Sequence, residues 1–214
     1  MFSPEEEKSF RAGILGCIPP LSKRQIEKFS RLVDSLLEWN QRINLTAITS
    51  RSEVLEKHLI DSVAILGHMR EGSLIDIGSG AGFPGLPTAI VRPEMKIWLV
   101  EATRKKVEFI SEMIRVLELP NCEAVWSHLP DKRIEIKADQ IVSRGTFKVP
   151  DFLEAALPYL HTGGRLILMK GKLPVEEIQS AKQWMARYRL KQSSVSYKLP
   201  FSGADRSLVI FEME

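Results

Sequence analysis

Apolar residues follow one spacing before residue 70 and another after it. In the first stretch they recur every three or four positions, the period of a helix with one buried face. Ile26, Phe29, Val33, Leu36 and Leu37 form one such stripe, opened by Ser22-x-x-Gln25, which reads as a capping box. Leu55, Leu59, Val63 and Leu66 form another behind a second box, Ser50-x-x-Glu53. Between them, Trp39-Asn40-Gln41-Arg42-Ile43-Asn44-Leu45-Thr46 reads as a polar connection with apolar anchors, its turn organised by Asn40 and Asn44. From Ser73 onward short apolar runs alternate with helical segments. The pattern predicts strands over 74–77, 96–100, 122–126, 140–142, 166–169, 193–199 and 208–211. Helices are expected over 84–91, 104–117, 150–159 and 174–187, with a turn at Thr162-Gly163-Gly164 before the fifth strand. Strands alternating with helices imply right-handed crossovers and an α/β fold with a mostly parallel seven-stranded sheet. The last two strands have no helix between them, which predicts a hairpin and one antiparallel strand at that edge. The expected organisation is a helical extension over 1–70 and a core over 71–214.

With 214 residues, 44% hydrophobic and 27% charged, the chain can bury a substantial core. A net charge of +3 permits nucleic-acid binding without demanding it. Two cysteines, Cys17 and Cys122, suggest neither a disulfide framework nor a zinc site. The amino terminus lacks a basic segment followed by an apolar run, and no apolar run reaches membrane-spanning length, so the cytoplasm is the expected location.

Candidate chemistry concentrates in Leu74 to Gly85, an apolar run carrying an acid that breaks into a glycine-rich turn. Glycine admits positive φ and close approach of a ligand to the backbone. Gly80-Ala81-Gly82-Phe83-Pro84-Gly85 fits the dinucleotide pattern G-x-G-x-x-G. Two features oppose that reading. Asp76, two residues before Gly78, would repel a pyrophosphate and attract an ammonium or sulfonium. Pro84 removes a backbone donor where a pyrophosphate would want one. A second acid, Glu101, follows the strand Ile97-Trp98-Leu99-Val100, about where ribose-binding acids stand in nucleoside-cofactor folds. Its plainer role would be a surface acid at a helix N-terminus. Paired with the glycine turn, the two acids fit S-adenosylmethionine, with Gly78 and Gly80 beneath it, Glu101 on the ribose and Asp76 toward the methionine end. For adenine, the Leu129 backbone N–H and the Asp131 carboxylate are candidates; Asp131 could equally cap the following segment.

Asp76-Ile77-Gly78-Ser79-Gly80-Ala81-Gly82-Phe83-Pro84-Gly85 resembles motif I of class I methyltransferases. More narrowly it resembles the bacterial small-subunit rRNA guanine-N7 methyltransferase G family, once called glucose-inhibited division protein B. Trp39-Asn40-x-x-Ile43-Asn44-Leu45-Thr46, His58-Leu59-x-Asp61-Ser62, Ile141-Val142-Ser143-Arg144 and Lys170-Gly171 agree in order along nearly the whole chain. The resemblance implies a Rossmann-like core and S-adenosylmethionine as methyl donor, leaving S-adenosylhomocysteine. It implies N7 of a guanine in the 530 loop of 16S rRNA as acceptor. Position by position, the family's cofactor contacts fall on Gly78, Phe83, Glu101, Ala102, Thr103, Leu129, Pro130 and Arg144. This chain has Gly145 where the family has alanine, and Leu129-Pro130 where it has a pair such as Ala-Glu; proline cannot donate a backbone hydrogen bond. The partner expected is 16S rRNA or the small ribosomal subunit, met by a monomer without metal or membrane.

Guanine N7 offers a lone pair and no proton, so methyl transfer to it needs alignment rather than a general base. The Asn/Asp-Pro-Pro-Tyr/Phe run common in amine methyltransferases is replaced by Ser143-Arg144-Gly145-Thr146-Phe147. Neither cysteine is placed to serve as a nucleophile, so no catalytic acid, base or nucleophile is named. Arg144 and Lys170 at predicted ligand-side strand ends, with Lys148 and Arg206 nearby, suggest a cationic rim for RNA phosphates, whereas Lys172, and to a lesser degree Lys148, reads as ordinary solvated surface charge. Phe147 is a candidate to stack on the target base or to join the core. His58 and Asp61 are expected to tie the extension to the core. A methyltransferase acting on a small molecule or protein, and a non-catalytic nucleotide-binding module, are the alternatives.

Overall fold

The computed structural model describes all 214 residues. Seven strands form one sheet: β1 (Leu74–Ile77), β2 (Ile97–Glu101), β3 (Cys122–Trp126), β4 (Ala138–Arg144), β5 (Leu160–Lys170), β6 (Leu190–Lys198) and β7 (Asp205–Met213). Their order is β3-β2-β1-β4-β5-β7-β6. β1 through β5 pair in parallel, and β7 runs antiparallel to both neighbours. The single antiparallel strand therefore lies one place in from the margin, with β6 outside it. Chain order reverses direction across β1 and β4, which places the ligand crevice beyond their carboxyl ends.

β1 is buried at every position, as a central strand covered on both faces must be. Its alternate side chains enter different cores. Leu74 packs with Leu86, Leu99 and Phe109 on one face; Ile75 and Ile77 pack with Phe152, Leu153 and Leu166 on the other. The first core is continuous with the extension, taking in Phe10, Phe29, Leu32 and Leu36. Phe10 meets Phe29 edge-on at 4.9 Å, and Trp39 meets Phe109 at 5.6 Å. The extension is thus the outer layer of one face of the sheet.

Ser22 begins the long helix Lys23–Asn40 with the expected capping box: its Oγ accepts from Gln25 N–H at 3.3 Å while Gln25 Oε1 accepts from Ser22 N–H at 3.0 Å. Ser3 and Glu6 form a further box before Pro4–Gly13. The box expected at Ser50 does not form, because Ser50 Oγ pairs with Ser52 Oγ at 2.9 Å and Glu53 pairs with Lys57. The helix that follows widens to π geometry over Leu55–Ile60, returns to α over Asp61–Ala64 and ends in a 3₁₀ turn. In the core, β5 begins at Leu160, so Gly163 and Gly164 lie within a strand instead of a turn. Gly163 takes φ +78°, and a Cβ on Gly164 would stand 2.8 Å from the Asp139 carbonyl oxygen, so both positions suit an irregular pairing with β4. The helix expected over 174–187 divides at Ala181 into Val175–Ser180 and Lys182–Tyr188.

Candidate functional site

After β1 the backbone passes through Gly78, Gly80 and Gly82 at φ +69°, +60° and +86°, the left-handed region in which a Cβ is strained. Gly78 N–H donates to the Val100 carbonyl at 2.9 Å, so the turn grows directly from the β1–β2 pairing. A Cβ on Gly78 would stand 3.0 Å from Thr146, whereas one on Gly80 would meet nothing within 4 Å. Gly80 therefore presents bare backbone to open space. That space is a cavity of about 480 Å³ beyond the ends of β1, β2 and β4, within the range of small-molecule sites.

Two carboxylates hold the turn. Glu101 accepts from Gly80 N–H at 2.9 Å through Oε2 and from Thr103 N–H at 2.8 Å through Oε1. Each oxygen keeps a second lone pair for a ligand hydroxyl. Asp76, fully buried, accepts from Gly85 N–H at 2.8 Å through Oδ2. Its Oδ1 has no protein partner. Burial pushes the Asp76 carboxyl up to about 7; the Gly85 N–H and Arg144 pull it down, and Glu101 pushes it up.

Of the expected cofactor contacts, Gly78, Gly80, Phe83, Glu101, Ala102, Leu129 and Arg144 line the cavity; Asp76, Thr103 and Pro130 do not. Asp76 fastens the end of the glycine turn, with the Gly85 amide directly against its side chain. Thr103 contributes through its backbone, donating to Glu101. Pro130 is exposed, and Asp131 serves as a local cap, accepting from Arg133 N–H at 3.0 Å and from Ser127 Oγ at 3.0 Å.

The opposite wall belongs to the extension. The π segment turns His58 onto Phe83, ring to ring at 4.8 Å and 15°. Arg144, at the end of β4, lies over the same Phe83 ring at 5.5 Å. Its Nη1 donates to the Lys57 carbonyl at 2.7 Å and its Nη2 to His58 Nδ1 at 2.8 Å. Asp61 Oδ2 stands 3.7 Å from Arg144 and 3.0 Å from Arg206 Nε, and Asp61 Oδ1 accepts from the Tyr197 hydroxyl at 3.0 Å. Burial and the neighbouring guanidinium push the His58 imidazole down to about 3, so it is neutral. His58 and Asp61 thus do join the extension to the core, each through Arg144.

The cations expected to form the rim already have protein partners. Arg144 is enclosed by His58 and Asp61, and Arg206 by Asp61. Lys170 donates to the Phe147 carbonyl at 3.0 Å and pairs with Glu177 at 3.0 Å. Asp61 carries one charge against two guanidiniums, so it orients both without fully neutralising them. Lys148 and Lys172 remain exposed. Phe147 both lines the cavity and packs near Phe152 at 6.3 Å.

Leu45, Thr46, Lys106, Ser127, His128 and Thr146 also line the cavity and were not among the site residues expected from the sequence. For Thr46 the available signal was Asn40, whose carboxamide accepts from Leu45 and Thr46 N–H at 2.9 and 3.0 Å and donates to the Thr46 carbonyl at 3.0 Å. No group of His, Cys, Asp and Glu is arranged to hold a metal, and no helix is long and apolar enough to cross a membrane.

The site therefore offers bare backbone and a paired carboxylate on one side, a neutral imidazole and a buried guanidinium on the other, with apolar walls between. That set fits a nucleoside carrying a cationic tail. A family model described as rRNA small subunit methyltransferase G matches residues 25–209. A curated relative of that name from Acetivibrio thermocellus is 36% identical over 199 residues, covering 90% of this chain and 82% of the relative. Another from Myxococcus xanthus is 37% identical over 191 residues, covering 87% and 88%. Among solved structures, a SAM-dependent methyltransferase from Aquifex aeolicus shares the fold, with a TM-score of 0.56 at 19% identity over 74% of this chain and 92% of that one. The chain belongs to the rRNA small subunit methyltransferase G family, whose methyl donor is S-adenosylmethionine.

Proposed function

We propose that this enzyme methylates N7 of a guanine in the 530 loop of 16S rRNA. The observation that carries the reading is Glu101, anchored by Gly80 and Thr103 N–H at the end of β2 and facing the His58–Arg144 wall across one cavity. S-adenosylmethionine supplies a methyl group on a sulfonium, open to in-line attack. Glu101 holds the ribose hydroxyls with its remaining lone pairs. Gly78 and Gly80 let the backbone approach the donor, and Leu129 covers the adenine. Asp76 holds the end of the glycine turn through Gly85 N–H and so shapes the backbone beneath the donor.

The acceptor side supports a reaction that needs no general base. His58 cannot take a proton from substrate while its Nδ1 accepts from Arg144, and its low pKa keeps it neutral. Asp76 is sealed from the cavity. What these residues supply is a fixed, dry wall that orients the purine, a contribution of several kcal/mol to the barrier. Lys106 at the cavity edge and exposed Lys148 and Lys172 contact RNA phosphate, in place of the enclosed cations. The enzyme works as a monomer in the cytoplasm.

The test is methyl transfer from labelled S-adenosylmethionine to 16S rRNA from a strain lacking the modification. Reduction and aniline cleavage should break the product strand at one guanine in the 530 loop. Incorporation without such cleavage would overturn the assignment.

A further inference from the structure

The extension wall contains a run of hydrogen bonds whose direction is fixed throughout. Arg144 can only donate, since a guanidinium has five N–H groups and no acceptor. His58 Nδ1, 2.8 Å from Arg144 Nη2, therefore accepts. An imidazole that accepts at Nδ1 carries its proton on Nε2. His58 Nε2 lies 3.0 Å from Thr46 Oγ1 and donates to it. Ile48 N–H reaches the same oxygen at 3.1 Å. A hydroxyl oxygen has two lone pairs and one proton. With both lone pairs of Thr46 engaged, its proton is left over, and no protein group accepts it.

Thr46 lines the cavity. Its backbone N–H and carbonyl are both fastened to Asn40, so the hydroxyl cannot be swung away by the loop. It also stands at the end of the site where a nucleophile would enter. Glu101 and Leu129 belong to the β2 and β3 side, whereas His58 and Arg144 meet over Phe83 on the β1 and β4 side.

We infer that Thr46 is a specificity residue for the methyl acceptor, its hydroxyl donating to a purine oxygen adjacent to the attacking nitrogen. The inference rests on the guanine-N7 reading, in which that oxygen is O6. Along the major-groove edge guanine presents acceptors at N7 and O6, whereas a purine with a 6-amino group presents a donor beside N7. A hydroxyl whose lone pairs are already filled cannot turn round to accept from that amino group, so the wrong purine meets donor against donor. His58 and Arg144 are positioning residues: they fix which way the Thr46 proton points.

Small subunits reconstituted with 16S rRNA carrying guanine, inosine or 2,6-diaminopurine at the target provide the test. Inosine keeps O6 and N7 and should be methylated within about three-fold of guanine by the wild-type enzyme. Diaminopurine replaces the oxygen with an amino group and should fall by about ten-fold or more in kcat/KM. Thr46→Val should cut the guanine-to-diaminopurine ratio by about ten-fold, and Thr46→Ser should preserve it. His58→Phe, which frees a lone pair of Thr46, should also lower the ratio. S-adenosylhomocysteine affinity should stay within about three-fold in the Thr46 variants. An unchanged ratio in folded Thr46→Val would overturn the inference. So would weakened S-adenosylhomocysteine binding with the ratio intact, which would assign the hydroxyl to the cofactor. Should Thr46→Val not fold, the wild-type comparison decides alone: diaminopurine methylated as readily as inosine would rule out O6 readout. No N7-methylguanine from the wild-type enzyme would overturn the function itself.

Discussion

The two walls of the cavity are built by different means. On the β1–β2 side, two carboxylates grip backbone amides from nearby chain: Glu101 takes Gly80 and Thr103, and Asp76 takes Gly85. On the β4 side, side chains grip other side chains from distant chain. Arg144 meets His58 across 86 positions, Tyr197 meets Asp61 across 136, and Arg206 meets Asp61 across 145. The first wall shapes backbone, so it is indifferent to most side chains around it. The second shapes a polar surface and depends on every member being present. A site that always holds one donor molecule suits the first construction, and one that must select among acceptor bases suits the second.

That contrast can be broken by removing one member from each wall. Arg144→Met should cost the most in stability, about 3–5 kcal/mol by urea denaturation, because it leaves buried Asp61 with fewer partners and His58 Nδ1 with none. Loss of activity with normal stability would mean that the second wall is not interdependent. Glu101→Ala should act mainly on the donor, weakening S-adenosylhomocysteine by ten-fold or more in calorimetry, about 1.5–3 kcal/mol. An unchanged affinity would remove the ribose role.

The walls also respond to pH in opposite senses. Asp76 is raised from 3.8 to about 7, so the folded state holds a proton that the unfolded chain has lost, and this contribution falls as pH rises through that window. His58 is lowered from 6.5 to about 3, so the unfolded chain holds the extra proton and this contribution rises with pH up to about 6.5. Between pH 4 and 6.5 they oppose each other. Asp76→Asn should expose the rising part, up to about 1.4 kcal/mol per pH unit in denaturation curves. A variant curve parallel to wild type would show that the carboxyl is not held neutral. The smallest effect belongs to the rim. Lys148→Ala should lower RNA affinity about two- to three-fold and flatten its dependence on log salt by about 0.7. A slope equal to wild type would remove Lys148 from the interface.

The same contrast explains what could be read in the sequence. The succession of strands and helices, the glycine turn and the acid at the end of β2 were legible because periodicity and local spacing encode them. Gly163 and Gly164 were misleading: glycine pairs signal turns, but here the strand continues through an irregular pairing set by β4. Ser50 had the letters of a capping box, yet Ser52 and Lys57 took its partners. The cations Arg144, Lys170 and Arg206 looked available because Asp61, the partner of Arg144 and Arg206, is distant in sequence, and the Lys170 partner, Glu177, sits beyond a bend. Thr46 stood in the sequence only as part of the 39–46 motif, and its role was hidden for a related reason. Its importance comes from where its proton points, which depends on a histidine in a π segment and an arginine at the end of a strand.

β7 has a consequence for how the protein comes into being. It is the last strand of the chain, and it is inserted between β5 and β6. During synthesis β6 emerges with no neighbour to join, because the strand that links it to the sheet is still inside the ribosome. Arg206, which reaches back to Asp61, arrives with that strand. A nascent chain can assemble β1 to β5, but β6 can join the sheet, and Arg206 can reach Asp61, only after β7 has also emerged. Messages cut short before Asp205 would yield chains that cannot seat β6 and that lack Arg206, one of the partners of Asp61.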